Sequence, residues 1–314
     1  MTETYSRSRV IAAFAAVYIV WGSTYLAIRY AVETIPPFLM GGARFLVSGA
    51  ILYAWLRAKD TPRPTLRQWR DASVAGILML CLGNGAVAWA EERVPSGLAA
   101  LIVAVVPLWM VLLDWLRPRG ARPSILTILG VIVGLAGLIV LIGPVDYNAE
   151  ERVNLTASIV LVVGSLAWAA GSVYSRYGDH PKSNALATGM QMVAGGGVLV
   201  LIGIVTGELK TFSMEHVSSA SWIGWVYLVS FGSLVGFTAY VYLLNAVSPA
   251  KASTYAYVNP VVAVILGWLI AHEAISRPMI IGAAIILGAV AMITVSQTRK
   301  QQQMRGLGSS PEAS

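Results

Sequence analysis

The stretch Tyr18–Tyr30, YIVWGSTYLAIRY, has the apolar character of a membrane helix but carries polar side chains that lipid would not favour. It lies within an apolar run that reaches the length of about 20 residues needed to cross a bilayer. Helical spacing puts Tyr18, Tyr25 and Arg29 on one face. A helix that faced only lipid would gain nothing from such a face. The stretch therefore predicts a membrane helix whose polar side lines the interior of the protein.

A second copy of this stretch occurs later in the chain, at Trp168–Tyr177, WAAGSVYSRY. Trp21 aligns with Trp168, and Arg29 aligns with Arg176, without a gap. The chain is therefore predicted to consist of two copies of one unit, each beginning with this helix.

The composition identifies an integral membrane protein. The 314 residues are 57% hydrophobic and 12% charged, with a mean hydropathy of +0.70, whereas soluble domains are about 25% charged. The net charge of +7 comes mostly from short loops between apolar segments, so it indicates membrane topology rather than a nucleic-acid partner. The single cysteine, Cys81, excludes an intramolecular disulfide. The first apolar segment has no cleavage site before polar sequence, and we expect it to be retained as an anchor.

Ten apolar segments are long enough to span a membrane, and none shows the alternation of a β-barrel strand. They cover 10–30, 37–57, 71–91, 97–116, 124–143, 155–175, 184–206, 221–243, 251–271 and 278–297. The predicted divisions are a cytoplasmic N-terminus (1–9), a first repeat (10–147), a second repeat (148–297) and a disordered cytoplasmic tail (298–314). The predicted fold is all-α, with ten transmembrane helices.

The distribution of basic residues predicts the topology. With the N-terminus in the cytoplasm, sixteen Lys and Arg residues lie on the inside and five on the outside, which is a clear positive-inside bias. Both termini are then cytoplasmic. Later segments repeat as well, because Pro107 matches Pro260 and Trp115 matches Trp268 at one constant offset. Five segments per copy is an odd number, so the two copies must be inverted around a central cavity, which is a plan found in secondary transporters.

Several motifs resemble a known family. WGSTYLAIRY, PPFLMGGARF and VPSGLAALIVAVVPLW resemble the first EamA domain of the drug/metabolite transporter superfamily, and SPAKASTYAYVNPVVAVILGWLIAHEAIS resembles the end of its second domain. The resemblance covers residues 10–297 and points to bacterial inner-membrane exporters of amino acids and related metabolites. It implies a ten-helix basket with a cavity lined mainly by segments 1, 3, 4, 6, 8 and 9. Glu273 fits the acidic residue of the family after segment 9, whereas the matching place after segment 4 reads DWLRPRG.

Aromatic and amide side chains are the predicted substrate contacts. An interfacial belt explains many membrane Trp and Tyr residues, but Trp21, Trp109 and Trp168 lie near the middle of their helices, where belts do not reach. Aromatic walls can hold apolar side chains or a cationic group. The predicted substrate-binding residues are Trp21, Thr24, Tyr25, Asn84, Trp89, Trp109, Trp168, Tyr174, Tyr240, Tyr255 and Asn259.

Two prolines and four charged residues are candidates for a role in conformational change. Pro107 and Pro260 are predicted helix kinks that either line a wet cavity or are ordinary transmembrane kinks. A charged side chain inside a membrane is energetically costly, so its presence there suggests a function. The predicted charge network comprises Arg29, Arg44, Glu91 and Glu92, and it is either a gate on the outer side or a static structural pair.

The sequence favours a transporter over other classes of membrane protein. No Asp or Glu lies near the middle of segments 1, 4, 6 or 9, which disfavours an exchanger that depends on a buried carboxylate. No catalytic, metal-binding or cofactor-binding cluster is apparent, so an enzyme is not expected. We expect export of amino acids or related neutral or zwitterionic compounds across the bacterial inner membrane. The expected partners are this substrate and the lipid bilayer, with a monomer as the working expectation. The alternatives are export of lipophilic drugs or cations, a passive channel and a non-transporting scaffold.

Overall fold

The computed structural model describes residues 6–59, 61–117, 122–142, 154–247 and 255–307, and their regular structure is helical. Within these ranges nine helices are long and apolar enough to cross a membrane, and a shorter apolar helix completes the set. The helices are α1 Arg7–Ala31, α2 Pro37–Arg57, α3 Leu66–Ala90, α4 Ser96–Leu116, α5 Ile125–Ile142, α6 Leu155–Tyr177, α7 Asn184–Val205, α8 Ser219–Tyr240 with its continuation to Ala246, α9 Tyr255–Ala271 and α10 Arg277–Leu307. The predicted all-α architecture is confirmed.

The helix packing repeats between the two halves of the chain. Helices α2 and α7 pack along each other, and so do α5 and α10. Helix α1 packs on α8 and α9, while its counterpart α6 packs on α3 and α4. If each helix is replaced by its counterpart five places along the chain, each of these contacts becomes another contact of the set. The α1 contacts with α8 and α9, for example, become the α6 contacts with α3 and α4. This is the arrangement expected of two five-helix repeats, and the predicted inverted duplication is confirmed.

Small residues bring α2 and α7 close together. A Cβ atom added at Gly49 would lie 2.9 Å from the Gly189 oxygen, and one added at Gly42 would lie 3.0 Å from the Gly196 oxygen. Such close backbone approach is typical of membrane helix pairs that lack side chains at the contact. The α2–α7 pair therefore forms a closely packed flank beside the centre of the bundle.

Two helix boundaries differ from the sequence prediction by five residues or more. Helix α3 begins at Leu66 rather than at 71, because Thr65 and Gln68 form a capping box with bonds of 3.1 and 3.2 Å. Its first turn is polar, so an apolar pattern does not reveal it. Helix α10 continues to Leu307, although a disordered tail was predicted from 298, because Gln, Lys, Arg and Met in this segment are good helix formers. The rest of the predicted tail, 308–314, lies outside the described residues.

Three central helices contain π-helical segments that widen their middle turns. These segments are Val17–Trp21 in α1, Ile77–Asn84 in α3 and Leu228–Val235 in α8. Helices α3 and α8 are repeat-related, so the widening occurs at corresponding places in both halves. Single π-turns are frequent at functional sites because they re-aim side chains. Here they end at Trp21 and Asn84, two of the predicted substrate contacts.

The two prolines of the repeat affect their helices differently. Helix α4 is divided into Ser96–Val103 and Val106–Leu116, with Pro107 at the start of the second part. Pro107 removes a backbone donor and disfavours the helical conformation just before it, which accounts for the break. Pro260 lies inside α9, whose helix assignment is continuous. The matched kink therefore stays a prediction for Pro260.

Candidate functional site

A cavity of about 360 Å³ lies between the two repeats. Its walls come mainly from α1, α3, α4, α6 and α9, with further residues from α10, α2 and the start of α5. Segment 8 was expected to be a main wall, but among the described residues it contributes Phe237. Seven of the predicted substrate contacts line it: Trp21, Thr24, Tyr25, Asn84, Trp168, Tyr255 and Asn259. Pro107 and Pro260 line it as well. The structure therefore brings together side chains that are widely separated in the sequence.

Trp21 is the centre of an aromatic wall. Its ring contacts Phe237, Tyr240 and Tyr255 at centroid distances of 5.1, 5.0 and 5.1 Å. Its Nε1 donates a hydrogen bond of 3.2 Å to the Gly232 oxygen in the π-helical part of α8. This bond and the edge-on ring contacts fix the orientation of the indole, which favours a preformed surface for an apolar group.

The α6 wall is built around Trp168. Gly83 of α3 lies directly against this side chain, since a Cβ atom there would come within 3.1 Å of the Trp168 ring. Ser165 lies almost one turn earlier on α6 and also lines the cavity. Its hydroxyl accepts a hydrogen bond of 2.9 Å from Trp109 Nε1. Trp109 is therefore placed beside the cavity wall, where it supports α6 against α4.

Polar groups also line the cavity, and one of them is unusually placed. Thr24 uses its hydroxyl to donate a 2.6 Å bond to the Trp21 oxygen of its own helix. Asn259, only 7% exposed, lines the cavity, and its Oδ1 has no hydrogen-bond partner among the described residues. Buried polar atoms normally have partners. An unpaired acceptor at a cavity wall therefore suits a donor group on a ligand.

One end of the cavity is closed by buried charged residues. Arg44 lines this end and is 5% exposed, with its Nε donating a 3.0 Å bond to Ser233 Oγ. Glu91 is fully buried. Arg29 binds the backbone oxygen of Glu91 at 2.5 Å. Arg29 and Arg44 form no ion pair with Glu91 within the described part of the chain, and Glu92 pairs with Arg93 instead. The predicted charge network and its role as a gate therefore stay a prediction.

Glu273 ties the two repeats together at the same end. It follows α9 of the second repeat and accepts hydrogen bonds from the backbone nitrogens of Ser96 and Gly97, the first residues of α4 in the first repeat, at 2.7 and 3.0 Å. A carboxylate at a helix N-terminus satisfies unpaired N–H groups and interacts well with the helix dipole. We call this pair of bonds the Glu273 clamp.

The opposite end of the cavity reaches the surface. Its lining there includes Asp114, Arg122 and Arg176, and both arginines are exposed. Beside this opening, Tyr177 accepts a hydrogen bond of 2.8 Å from Arg117 and donates one of 3.2 Å to Asp114. Within the described ranges the cavity is thus open at the Arg176 end and closed at the Arg44 end.

The structure places the remaining predicted residues outside the cavity lining. Trp89 lies under the Arg93 guanidinium at 3.9 Å, and Arg93 forms an ion pair of 2.5 Å with Glu92. Tyr174 faces a separate groove and donates a 3.1 Å bond to Asp71. Tyr240 packs behind Trp21. These positions arise because helical spacing shows which residues share a face but not which way that face points.

Several lining residues were not among the predicted substrate contacts. Among them are Ser165, Phe237, Asp114, Arg122 and, most notably, Arg44, which was predicted only as part of a gate. Ser165 lies three residues before Trp168, so helical spacing could have identified it. Phe237 lies three residues before Tyr240 in the same way. For Arg44, the signal was its position well inside an apolar segment.

Comparison with known proteins agrees with this architecture. The EamA-like transporter family matches residues 8–143 and 155–295, one match for each repeat. The chain belongs to the EamA-like transporter family. A similar protein of this group is the uncharacterized inner membrane transporter YedA of Escherichia coli K12, which is 40% identical over 286 residues and 91% of this chain, covering 90% of its own length. Protein PecM of Dickeya dadantii is 26% identical, with 87% of this chain and 88% of PecM covered.

A solved structure has a similar fold. One crystal structure superposes with a TM-score of 0.63 at 21% identity, covering 94% of this chain and 99% of the other. At this identity the likeness concerns the fold alone. The predicted membership in the family is confirmed, and the chain is a membrane transporter of the EamA type.

Proposed function

We propose that this protein exports small metabolites, foremost amino acids or related zwitterionic or neutral compounds, by alternating access. The observation that carries the proposal is the cavity between the inverted repeats, which is open at one end and closed at the other. A binding site at the interface of two inverted repeats is exposed to each side in turn when one repeat rocks against the other. A simple channel has no need of this arrangement.

The basic residues supply the proposed orientation. Arg122 and Arg176 lie at the open end of the cavity, and the loops at that end hold most of the Lys and Arg residues. By the positive-inside rule this end faces the cytoplasm, with both termini on the same side. The state described here is then open to the cytoplasm and ready to load an outgoing substrate. The name of the E. coli relative supports placement in the inner membrane.

The cavity lining supports the proposed substrate class. Trp21, Trp168 and Tyr255 offer apolar faces, while Asn84 and Asn259 offer amide groups. Such a set suits a small molecule with an apolar side chain and a polar head. Transport would proceed without a cofactor and without chemical change in the substrate. Aromatic faces can also attract organic cations, so a lipophilic cation is the alternative to include in any test.

Flux in proteoliposomes tests this proposal. Purified protein should move methionine or threonine faster than empty liposomes do, and Trp168→Ala should weaken that flux because the α6 wall is lost. Trp268→Ala is the matched control, since this side chain is 54% exposed on α9 and does not line the cavity. Flux of tetraphenylphosphonium without flux of amino acids would favour the cation alternative. No flux above empty liposomes for a broad metabolite panel would refute export of these substrates.

A further inference from the structure

Arg44 carries a buried charge at the closed end of the cavity. It lies in α2, is 5% exposed and contributes to the cavity wall. A guanidinium taken out of water is costly unless hydrogen bonds and an opposite charge compensate it. The partners of this side chain therefore indicate which kind of ligand the site can bind.

The protein satisfies only part of the Arg44 guanidinium. Nε donates to Ser233 Oγ at 3.0 Å, and the guanidinium carbon lies 4.7 Å from the Phe45 ring centre. Gly232 allows Nη2 to approach α8 closely, because a Cβ atom there would come within 3.2 Å of that nitrogen. No acceptor among the described residues binds Nη1 or Nη2, and neither nitrogen is sealed from the cavity. Two parallel donors thus remain available in a fixed orientation.

The surrounding charges do not neutralise Arg44 by contact. No carboxylate of the described residues lies within ion-pairing distance of it. Glu91 is buried nearby and attracts Arg44, but it attracts Arg29 as well. Glu273 directs both of its oxygens to the N-terminus of α4. Two guanidinium groups therefore share Glu91 at longer range, and Arg44 has no carboxylate among the described residues in direct contact.

A second unpaired group lines the same cavity. Asn259 Oδ1 lacks a donor, and Tyr255, one turn earlier on α9, contacts the Trp21 ring. Trp21 in turn donates to the oxygen of Gly232, the residue beside Arg44 Nη2. A chain of contacts through Gly232, Trp21 and Tyr255 therefore leads from Arg44 to the helix turn that carries Asn259. One offers two donors with positive charge, and the other offers an acceptor.

We propose that Arg44 binds the carboxylate of the transported substrate through Nη1 and Nη2, and that Asn259 Oδ1 accepts a hydrogen bond from its ammonium group. Guanidinium groups recognise carboxylates through two parallel hydrogen bonds, which gives both strength and orientation. The cargo is then an α-amino acid whose side chain lies against Trp21 and Tyr255. A molecule that carries only positive charge is rejected by Arg44. The inference rests on the proposed transport function and names the chemistry of its substrate.

The test compares three probes that differ in the groups proposed to be recognised. Methionine carries both groups, methioninamide lacks the carboxylate, and 4-(methylthio)butanoate lacks the ammonium group. Binding to the purified wild-type protein is measured by calorimetry, and flux is measured in proteoliposomes. We expect methionine to bind about 10- to 100-fold more tightly than methioninamide, which is the range for hydrogen bonds to charged groups. The loss of the ammonium group should weaken binding less. This comparison needs no variant, so it does not depend on how a substitution folds.

Variants then assign the effect to Arg44. Arg44→Gln should lower methionine affinity to the level of methioninamide and leave methioninamide affinity unchanged, while Arg44→Lys should restore part of the difference. The assignment would be overturned if the wild-type protein bound methionine and its amide with equal affinity, or if it bound none of the probes. It would also be overturned if Arg44→Gln lowered the affinity for methionine and methioninamide equally. Equal flux of methionine and methioninamide would refute this inference alone, whereas the absence of any amino-acid flux would refute the proposed function.

Discussion

The Glu273 clamp gives a prediction about the opening of the closed end of the cavity. Its two bonds, of 2.7 and 3.0 Å, join the link after α9 in the second repeat to α4 in the first, so opening this end breaks them. In Glu273→Gln the side chain is neutral and keeps one acceptor oxygen. Hydrogen bonds to a charged group contribute about 1.5–3 kcal/mol each, and the helix dipole adds about 0.3–1 kcal/mol. Because Glu273 is half-buried, we take about 2 kcal/mol for the net loss, which changes the ratio of open to closed states about 30-fold.

Thiol labelling measures this ratio from the side of the clamp. The single cysteine is removed by Cys81→Ser, and Thr24→Cys places a thiol in the cavity lining. A membrane-impermeant maleimide, added at the end that carries Glu273, should label the Glu273→Gln protein about 30-fold faster, in line with the 2 kcal/mol loss.

A matched control separates gating from stability. Glu208 makes the same kind of contact, accepting bonds of 3.2 and 2.8 Å from the nitrogens of Phe38 and Leu39 at the start of α2. It lies at the α2–α7 flank rather than at the end of the cavity. The assay is run at about pH 8, since partial burial raises the pKa of Glu208. Both variants should lower thermal stability, but Glu208→Gln should leave labelling unchanged. Equal labelling rates in Glu273→Gln and the wild-type protein would refute the reasoning.

Four further substitutions, one of them a control, test the packing and the local structure. Gly196→Ala should destabilise the α2–α7 pair by about 1–3 kcal/mol, because the new Cβ would lie 2.9 Å from a backbone nitrogen of α2. Gly197→Ala, which meets nothing within 4 Å, should not lower the melting temperature, because alanine also favours the helix, and an equal loss in the two variants would contradict this. Thr65→Ala should lower the free energy of unfolding by about 1 kcal/mol through loss of the α3 capping box; an unchanged denaturation midpoint would argue against that role. Trp21→Phe removes the donor to the Gly232 oxygen and should cost about 1 kcal/mol, read from thermal unfolding, and no change would show that the bond is dispensable.

The architecture could be predicted because it depends on long runs of sequence. Ten apolar segments, a bias of basic residues and matched pairs such as Trp21 and Trp168 define the helices and their inverted duplication. Local details were less accessible. The polar first turn of α3 depends on one capping residue, Thr65. The π-helical segments depend on whether a backbone N–H donates to the oxygen four or five residues earlier.

The candidate site was predictable in its residue types but not in the direction of each side chain. Tyr174 was predicted as a substrate contact on α6, yet it faces Asp71 in another groove. Arg44 was predicted as part of a gate, and only the rotation of α2 shows that it reaches the cavity. Side-chain direction depends on how each helix is rotated against its neighbours, which the pattern of one chain does not specify.

The most direct test of alternating access is counterflow in proteoliposomes. Vesicles that contain the purified protein are loaded with a high concentration of unlabelled methionine and diluted into a trace of labelled methionine. A carrier whose site faces one side at a time predicts that the labelled compound accumulates transiently above its outside concentration, with no overshoot in empty vesicles. Entry of the label that only reaches the outside concentration would contradict alternating access and indicate a channel.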